Sequence, residues 1–143
     1  MSEENRPVAM VTGASRGAGK GIALALGGRG YTVYVTGRSQ RAGDAPLPGT
    51  IHETAAAIDR LGGHGIAVSC DHGDDEQVRA LFERVAREQD GRLDILVNNA
   101  CAIPDELVQP GAFWEKPLSL LSLLNVGMRS NYVASYYAAP LMV

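Results

Sequence analysis

Apolar and polar positions along this chain fall into blocks whose period changes from one block to the next. Val8-Ala9-Met10-Val11-Thr12 is a short continuous apolar run, the pattern of a strand buried on both faces. A glycine-rich turn follows, then a helical stretch from about Gly17 to Gly28 carrying Ile22, Leu24 and Leu26. Thr32 to Thr36 is β-branched and aromatic and predicts a second strand. Ser39 to Gly49 holds Pro46 and Pro48, which neither a helix nor a central strand tolerates, so it reads as a loop. Thr50 with Glu53 three residues on forms a capping box. The helix it opens puts Ile51, Ala55, Ile58 and Leu61 on one face and stops at Gly62-Gly63. Ile66 to Cys70 predicts a third strand, and Asp74 caps a helix with Val78, Leu81, Phe82 and Val85 at helical spacing. Leu93 to Val97 predicts a fourth strand. A loop with Pro104, Pro110 and Gly111 leads to a long apolar helix from about Leu118 towards Met142.

Strand and helix alternating at short intervals imply right-handed crossovers and a parallel sheet, an α/β fold. The chain has 143 residues, 45% of them apolar, and a net charge of -3. That fits one globular domain and excludes a disordered chain. With two lysines, Lys20 and Lys116, and no basic face, nucleic acid is not an expected partner. No apolar run approaches the roughly 20 residues of a membrane helix, so no membrane partner is expected either. The acidic start Met1-Ser2-Glu3-Glu4 is unlike a secretory signal, and two cysteines make no disulfide framework. The expected location is cytoplasmic. The chain stops on apolar Pro140-Leu141-Met142-Val143, as though cut inside an element.

Thr12-Gly13-Ala14-Ser15-Arg16-Gly17-Ala18-Gly19 leaves the first strand and opens the first helix. Gly13 permits a sharp turn, Gly17 a close approach of backbone to phosphate, and Gly19 close packing of helix on sheet. Amides at the helix N-terminus then face a pyrophosphate. A glycine turn needed only for packing is the plainer alternative, and the surrounding βαβ unit favours the nucleotide. A P-loop does not fit, because Gly21 follows Lys20 and Ala14 stands where its first Gly belongs.

The Thr-Gly-x-x-x-Gly-x-Gly spacing, with Asn98-Asn99-Ala100 ending the fourth strand, resembles the N-terminal half of a short-chain dehydrogenase/reductase. The resemblance runs from Val8 to Val143. Thr36-Gly37-Arg38, Gly91-Arg92-Leu93-Asp94, Phe113-Trp114-Glu115 and Leu141-Met142-Val143 resemble one subgroup of that family. It implies a Rossmann-like doubly wound parallel sheet, incomplete, with four strands in the order 3-2-1-4. It also implies a dinucleotide at the carboxyl ends of the strands. The implied cofactor residues are Gly13, Ser15, Arg16, Gly17, Ala18 and Gly19 in the turn. Arg38 follows the second strand, Asp71 meets the adenine amine, and Asn98 and Ala100 lie in the segment passing the adenosine ribose. Ala18 stands where the family has Ile, and Cys101 where it has Gly. Asp71 reads equally well as a solvated loop or cap residue.

An NAD enzyme places an acidic side chain at the end of the second strand, where this chain has Gly37 followed by Arg38. Arg16 and Arg38 would clamp a 2′-phosphate through charge-assisted forks, which favours NADP over NAD. Arg41 reads as a solvated surface charge.

The family's chemistry needs a Tyr, a Lys four residues later, and a Ser. Arg16 stands four before Lys20 and Ala112 four before Lys116, so neither lysine serves a tyrosine. No catalytic residue is therefore assigned. Of the tyrosines, Tyr132, Tyr136 and Tyr137 are expected to pack on the long helix. Either Asn125 or Gly127 falls at the family's Asn position. His52, His64 and His72 lack metal-ligand spacing and are expected at the surface or in caps, and no metal is expected. In the family's strand order Cys70 and Cys101 lie about 14 Å apart, too far for a disulfide. Each reads as a small buried apolar group. Phe113-Trp114 could line a substrate mouth, though helix-start packing is the commoner role of such a pair.

The reading is the cofactor half of an NADP-dependent oxidoreductase, truncated before its catalytic Ser and Tyr-x-x-x-Lys. A small carbonyl or alcohol would be the substrate of the complete enzyme, expected to be a homo-oligomer. The chain alone is expected to be inactive and prone to associate. The alternative is a non-catalytic dinucleotide-binding or interaction module, against which stands a long helix too apolar to face water.

Overall fold

A computed structural model describes residues 5–143, and the acidic start at residues 1–4 lies outside them. Four parallel strands, β1 (Val8–Val11), β2 (Thr32–Gly37), β3 (His64–Ser69) and β4 (Ile95–Val97), form one sheet in the order β3-β2-β1-β4. Helices α1 (Gly17–Gly27), α2 (Ile51–Arg60) and α3 (Asp75–Glu88) are the crossovers, and α4 (Ser130–Met142) follows β4 after a long connection. In register, Val8 pairs with Thr32, Thr32 with His64 and Ala9 with Ile95.

Side-chain alternation along the strands divides the interior into two cores. Val8, Met10 and Tyr34 face Val78, Leu81, Phe82 and Val85 of α3 and Ala134 and Ala138 of α4. Val11, Val33 and Val35 face Ala23 of α1 and Ile51 and Ile58 of α2. Helices thus cover both faces, so strands buried on both sides read as unbroken apolar runs. The two capped starts are local chemistry and form as written. Thr50 and Glu53 close a reciprocal capping box, and Asp74 accepts from the amides of Glu76 and Gln77.

Three elements differ from expectation. β3 begins at His64, because pairing with Thr32 and Val33 draws His64 and Gly65 into the ladder despite their polar pattern. Leu93 is buried but lies outside β4, since its amide bonds the Leu141 carbonyl at the end of α4. The long apolar helix is broken. Leu118–Leu121 is a 3-10 turn, and a kink at Val126 and Gly127, where Gly127 has φ 151°, separates it from α4. That backbone favours glycine, so one residue redirects the chain without an exposed signal in the apolar pattern. The redirected α4 packs on α3, while Leu118, Leu121, Leu124, Met128, Tyr132 and Tyr136 remain exposed.

Candidate functional site

Everything at the carboxyl end of β1 is fixed by hydrogen bonds to its neighbours. The Thr12 amide donates to the Val97 carbonyl at 3.0 Å, and the Ala14 amide to the Thr36 carbonyl at 3.0 Å. The Thr12 hydroxyl accepts from the amides of Asn99 and Ala100, both at 3.0 Å, so the ends of β1 and β4 are joined. The Asn99 side-chain amide donates to the Thr12 carbonyl at 3.0 Å and the Gly13 carbonyl at 2.9 Å. Gly13 has φ 66°, and a Cβ there would meet the Ala100 Cα at 2.9 Å. At Gly19 a Cβ would come within 2.3 Å of the Gly13 carbonyl oxygen and 2.4 Å of the Asn99 amide nitrogen. These two glycines are therefore required by the turn itself.

Gly17 differs. Its φ is 59°, and a Cβ would meet nothing within 4 Å. Its missing side chain leaves open space in front of α1. Arg16, the residue before α1, gives no side-chain cap, and the first turn carries no acidic residue. The exposed backbone of Gly17 and Ala18 thus meets an uncapped positive helix end, whereas α2 and α3 are closed by side chains. A cradle that a Cβ would fill, beside unsatisfied donors, fits a phosphate group.

At the end of β2, Arg16 reaches across the turn. Its guanidinium donates to the carbonyls of Pro48 and Gly49, both at 3.1 Å, and to the Ser39 hydroxyl at 2.8 Å. A Cβ at Gly37 would stand 4.0 Å from the Ser15 hydroxyl and 3.2 Å from Ile51 Cγ2. Ser15, Arg16, Gly37 and buried Ser39 are therefore brought together. Arg38 is exposed, with no hydrogen bond or ion pair among the described residues, and so is Arg41's side chain. Ser39 was not legible as a site residue, because only the fold brings it to Arg16.

At the end of β3, one Asp71 carboxylate oxygen accepts from the Gly73 amide at 2.9 Å, and the Asp71 amide donates to Gln77 at 2.8 Å. His72 corrects the expectation of a surface or capping role. It is only 5% exposed, and its Nε2 lies 2.7 Å from the Thr36 hydroxyl. Burial pulls its pKa down to about 4, against the opposing charge of Asp71. His52 and His64 are exposed. Asn98 turns away from the glycine turn and donates to the Ser135 hydroxyl of α4 at 3.0 Å. The bracing asparagine is Asn99, and sequence alone could not choose between the adjacent pair. Ala100 contributes its backbone to Thr12.

Several side-chain expectations are corrected. Cys70 is buried, its thiol pushed up to about 12 by burial and then by Asp71 and Asp74, but Cys101 is exposed, and both are free. Tyr132 and Tyr136 are exposed and only Tyr137 packs against the core. Phe113 and Trp114 meet edge to face at 5.7 Å yet are 83% and 76% exposed, so they bury nothing at a helix start. Lys116 is held by the carbonyls of Glu106, Leu107 and Gln109 and ties its own loop. The buried Tyr34 donates to the exposed Glu88 at 2.7 Å at the edge of the core, and burial raises its pKa. Asn125 approaches the Gly73 turn, and Gly127 forms the kink. Among the described residues no group suited to hold a metal is found, and no helix is long and apolar enough to cross a membrane. A cleft of about 590 Å³ is lined by Thr32, His64 and Arg92 at the amino ends of the strands, away from the turn.

The sequence and backbone have close counterparts. The family profile described as short chain dehydrogenase matches residues 7–143. Human dehydrogenase/reductase SDR family member 1 is 46% identical over 142 residues, covering 97% of this chain and 43% of that protein. Bovine hydroxysteroid dehydrogenase-like protein 2 is 37% identical, covering 91% of this chain and 30% of its own length. The chain thus spans less than half the length of these relatives. A short-chain dehydrogenase from Mycobacterium thermoresistibile superposes with a TM-score of 0.82 at 33% identity, covering 95% of this chain and 46% of the other. A metagenomic short-chain oxidoreductase in complex with NADP gives 0.78 at 31% identity, covering 95% and 56%. With the doubly wound sheet, the glycine turn and a profile match along nearly its whole length, this chain belongs to the short-chain dehydrogenase/reductase family.

Proposed function

We propose that this chain is the cofactor-binding part of an NADP-dependent oxidoreductase acting on a small carbonyl or alcohol. The observation that carries the reading is the uncapped start of α1 beside Gly17, where a Cβ would meet only open space. Backbone amides there would hold the pyrophosphate, with Gly13, Gly19, Ser15 and Ala18 shaping the turn. Asp71 would meet the adenine amine, and the backbone of the segment from Asn98 to Ala100 would pass the adenosine ribose, the Asn98 side chain itself being turned to α4. The absence of a carboxylate at Gly37, the exposed Arg38, and Arg16 Nη1, which donates to no protein acceptor among the described residues while Nε and Nη2 are held by the loop, support a 2′-phosphate and hence NADP over NAD. The bound cofactor would supply the hydride, while this part of the protein orients it.

The 43% coverage of the human relative and the lack of a Tyr-x-x-x-Lys support a division of labour. In that reading residues 1–143 belong to a longer domain whose catalytic Ser, Tyr and Lys follow, and these residues alone turn over no substrate. Lys116 would not substitute, since three carbonyls already occupy its ammonium. The exposed row from Leu118 to Tyr136 supports burial by further protein, in keeping with a homo-oligomer. The two free thiols and slight acidity accord with a cytoplasmic location.

Gly17→Val tests the site. Its side chain would fill the phosphate space and clash with no other residue, but at φ 59° Val strains the backbone of the turn, so binding is compared only with a variant shown to be folded. Calorimetry should show NADPH binding by the wild type and none by a variant with unchanged circular dichroism. Unchanged binding by the folded variant would reduce the turn to a packing device.

A further inference from the structure

The ends of β2 and β3 are joined by one buried contact that the cofactor reading does not use. His72 lies directly after Asp71, and its Nε2 stands 2.7 Å from the Thr36 hydroxyl, one residue before Gly37 and Arg38. Thr36 is fully buried and His72 is 5% exposed. Around this contact the two strand ends are otherwise held by backbone, the Cys70 amide donating to the Gly37 carbonyl at 3.0 Å. That bond fixes the ladder but not the turn beyond it. Asp71, Gly73 and Asp74 form that turn through the Asp71 carboxylate and carbonyl. The His72 ring is the side chain that anchors it to β2.

We propose that His72 is a positioning residue for the dinucleotide, holding the Asp71 turn and the Gly37-Arg38 segment at a fixed separation. The inference rests on the cofactor reading above, because it matters to binding only if those two segments meet the adenine and the 2′-phosphate. A buried hydrogen bond has a narrow range of lengths, so the pair acts as a spacer between two halves of one subsite. Losing it would let the Asp71 turn move relative to Arg38, and a cofactor touching both would bind more weakly. His72 itself need touch no part of the cofactor.

Titrations of NADPH into the wild type, His72→Val, His72→Gln and Thr36→Val test this, each well below the melting temperature and with the folded fraction measured by circular dichroism. Thr36→Val is nearly isosteric, so it serves if His72→Val does not fold. The expected result is an affinity loss of about tenfold for His72→Val and Thr36→Val, with recovery in His72→Gln, whose amide reaches the same hydroxyl. A purely structural contact would lower the melting temperature and leave the affinity of the folded protein unchanged. That outcome in the folded Val variants overturns the role of His72 alone. Failure of the wild type to bind NADPH instead overturns the cofactor reading, and the inference with it.

Discussion

The side-chain amide of Asn99 lies 2.9 Å from the Gly13 carbonyl and occupies the space a Cβ on Gly19 would need. One side chain from the end of β4 thus braces the turn after β1 and fixes where α1 begins. The same amide nitrogen also donates to the Thr12 carbonyl, so both carbonyls depend on it. Asn99→Leu should destabilise the fold by about 1–3 kcal/mol by leaving them without that donor. Urea denaturation measures the loss. An unchanged midpoint would mean the turn holds without its brace.

His72 predicts a pH dependence of stability. The unfolded side chain takes a proton near pH 6.5 and the buried one only near 4. Above pH 6.5 both states are neutral and the group contributes no slope. Between 6.5 and 4 the unfolded state binds more protons, so stability falls as the pH falls. At pH 5 the loss relative to pH 7.5 should be about 2 kcal/mol, and His72→Gln should remove that part. Denaturation curves at the two pH values give the comparison, and an identical slope in the variant would contradict it.

The two thiols should separate cleanly. Cys70 is buried with a thiol pushed up to about 12, while Cys101 is exposed. A thiolate-directed alkylating reagent at pH 8 should label Cys101 in the native protein and Cys70 only after unfolding. Peptide mass spectrometry reads the result. Labelling of native Cys70 would show that the β3 end opens.

Association is expected from the exposed apolar side chains of Leu121 and Met128 and the single-sided pairing of β4. Light scattering should show particle mass rising with concentration, and less so in Leu121→Lys with Met128→Lys. A monodisperse monomer at every concentration would contradict this.

What the sequence made legible was what depends on near neighbours. Thr50 with Glu53, Asp74 before α3, and the apolar run of β1 carry their signals within a few residues, and these features form as read. The glycine turn was legible for the same reason. Contacts set by tertiary structure were not. His72 is buried because Thr36, 36 residues earlier, ends the adjacent strand. Ser39 joins Arg16 only because the loop folds back over the turn. Asn98 and Asn99 are identical in type, and only strand orientation sends one to Ser135 and the other to Gly13. The break at Gly127 was hidden because a lone glycine inside an apolar pattern is compatible with a continuous helix.

The central claim is that the turn and the two arginines beside it take NADP. The most direct test is a pair of calorimetric titrations, NADPH and NADH, into the wild type and Arg38→Asp. The wild type should bind NADPH at least about tenfold more tightly, as expected for charge-assisted bonds to one phosphate. Arg38→Asp should reverse the order, since it removes an attraction and adds a repulsion. Equal affinities of the wild type for the two cofactors, or binding of neither, would contradict the account.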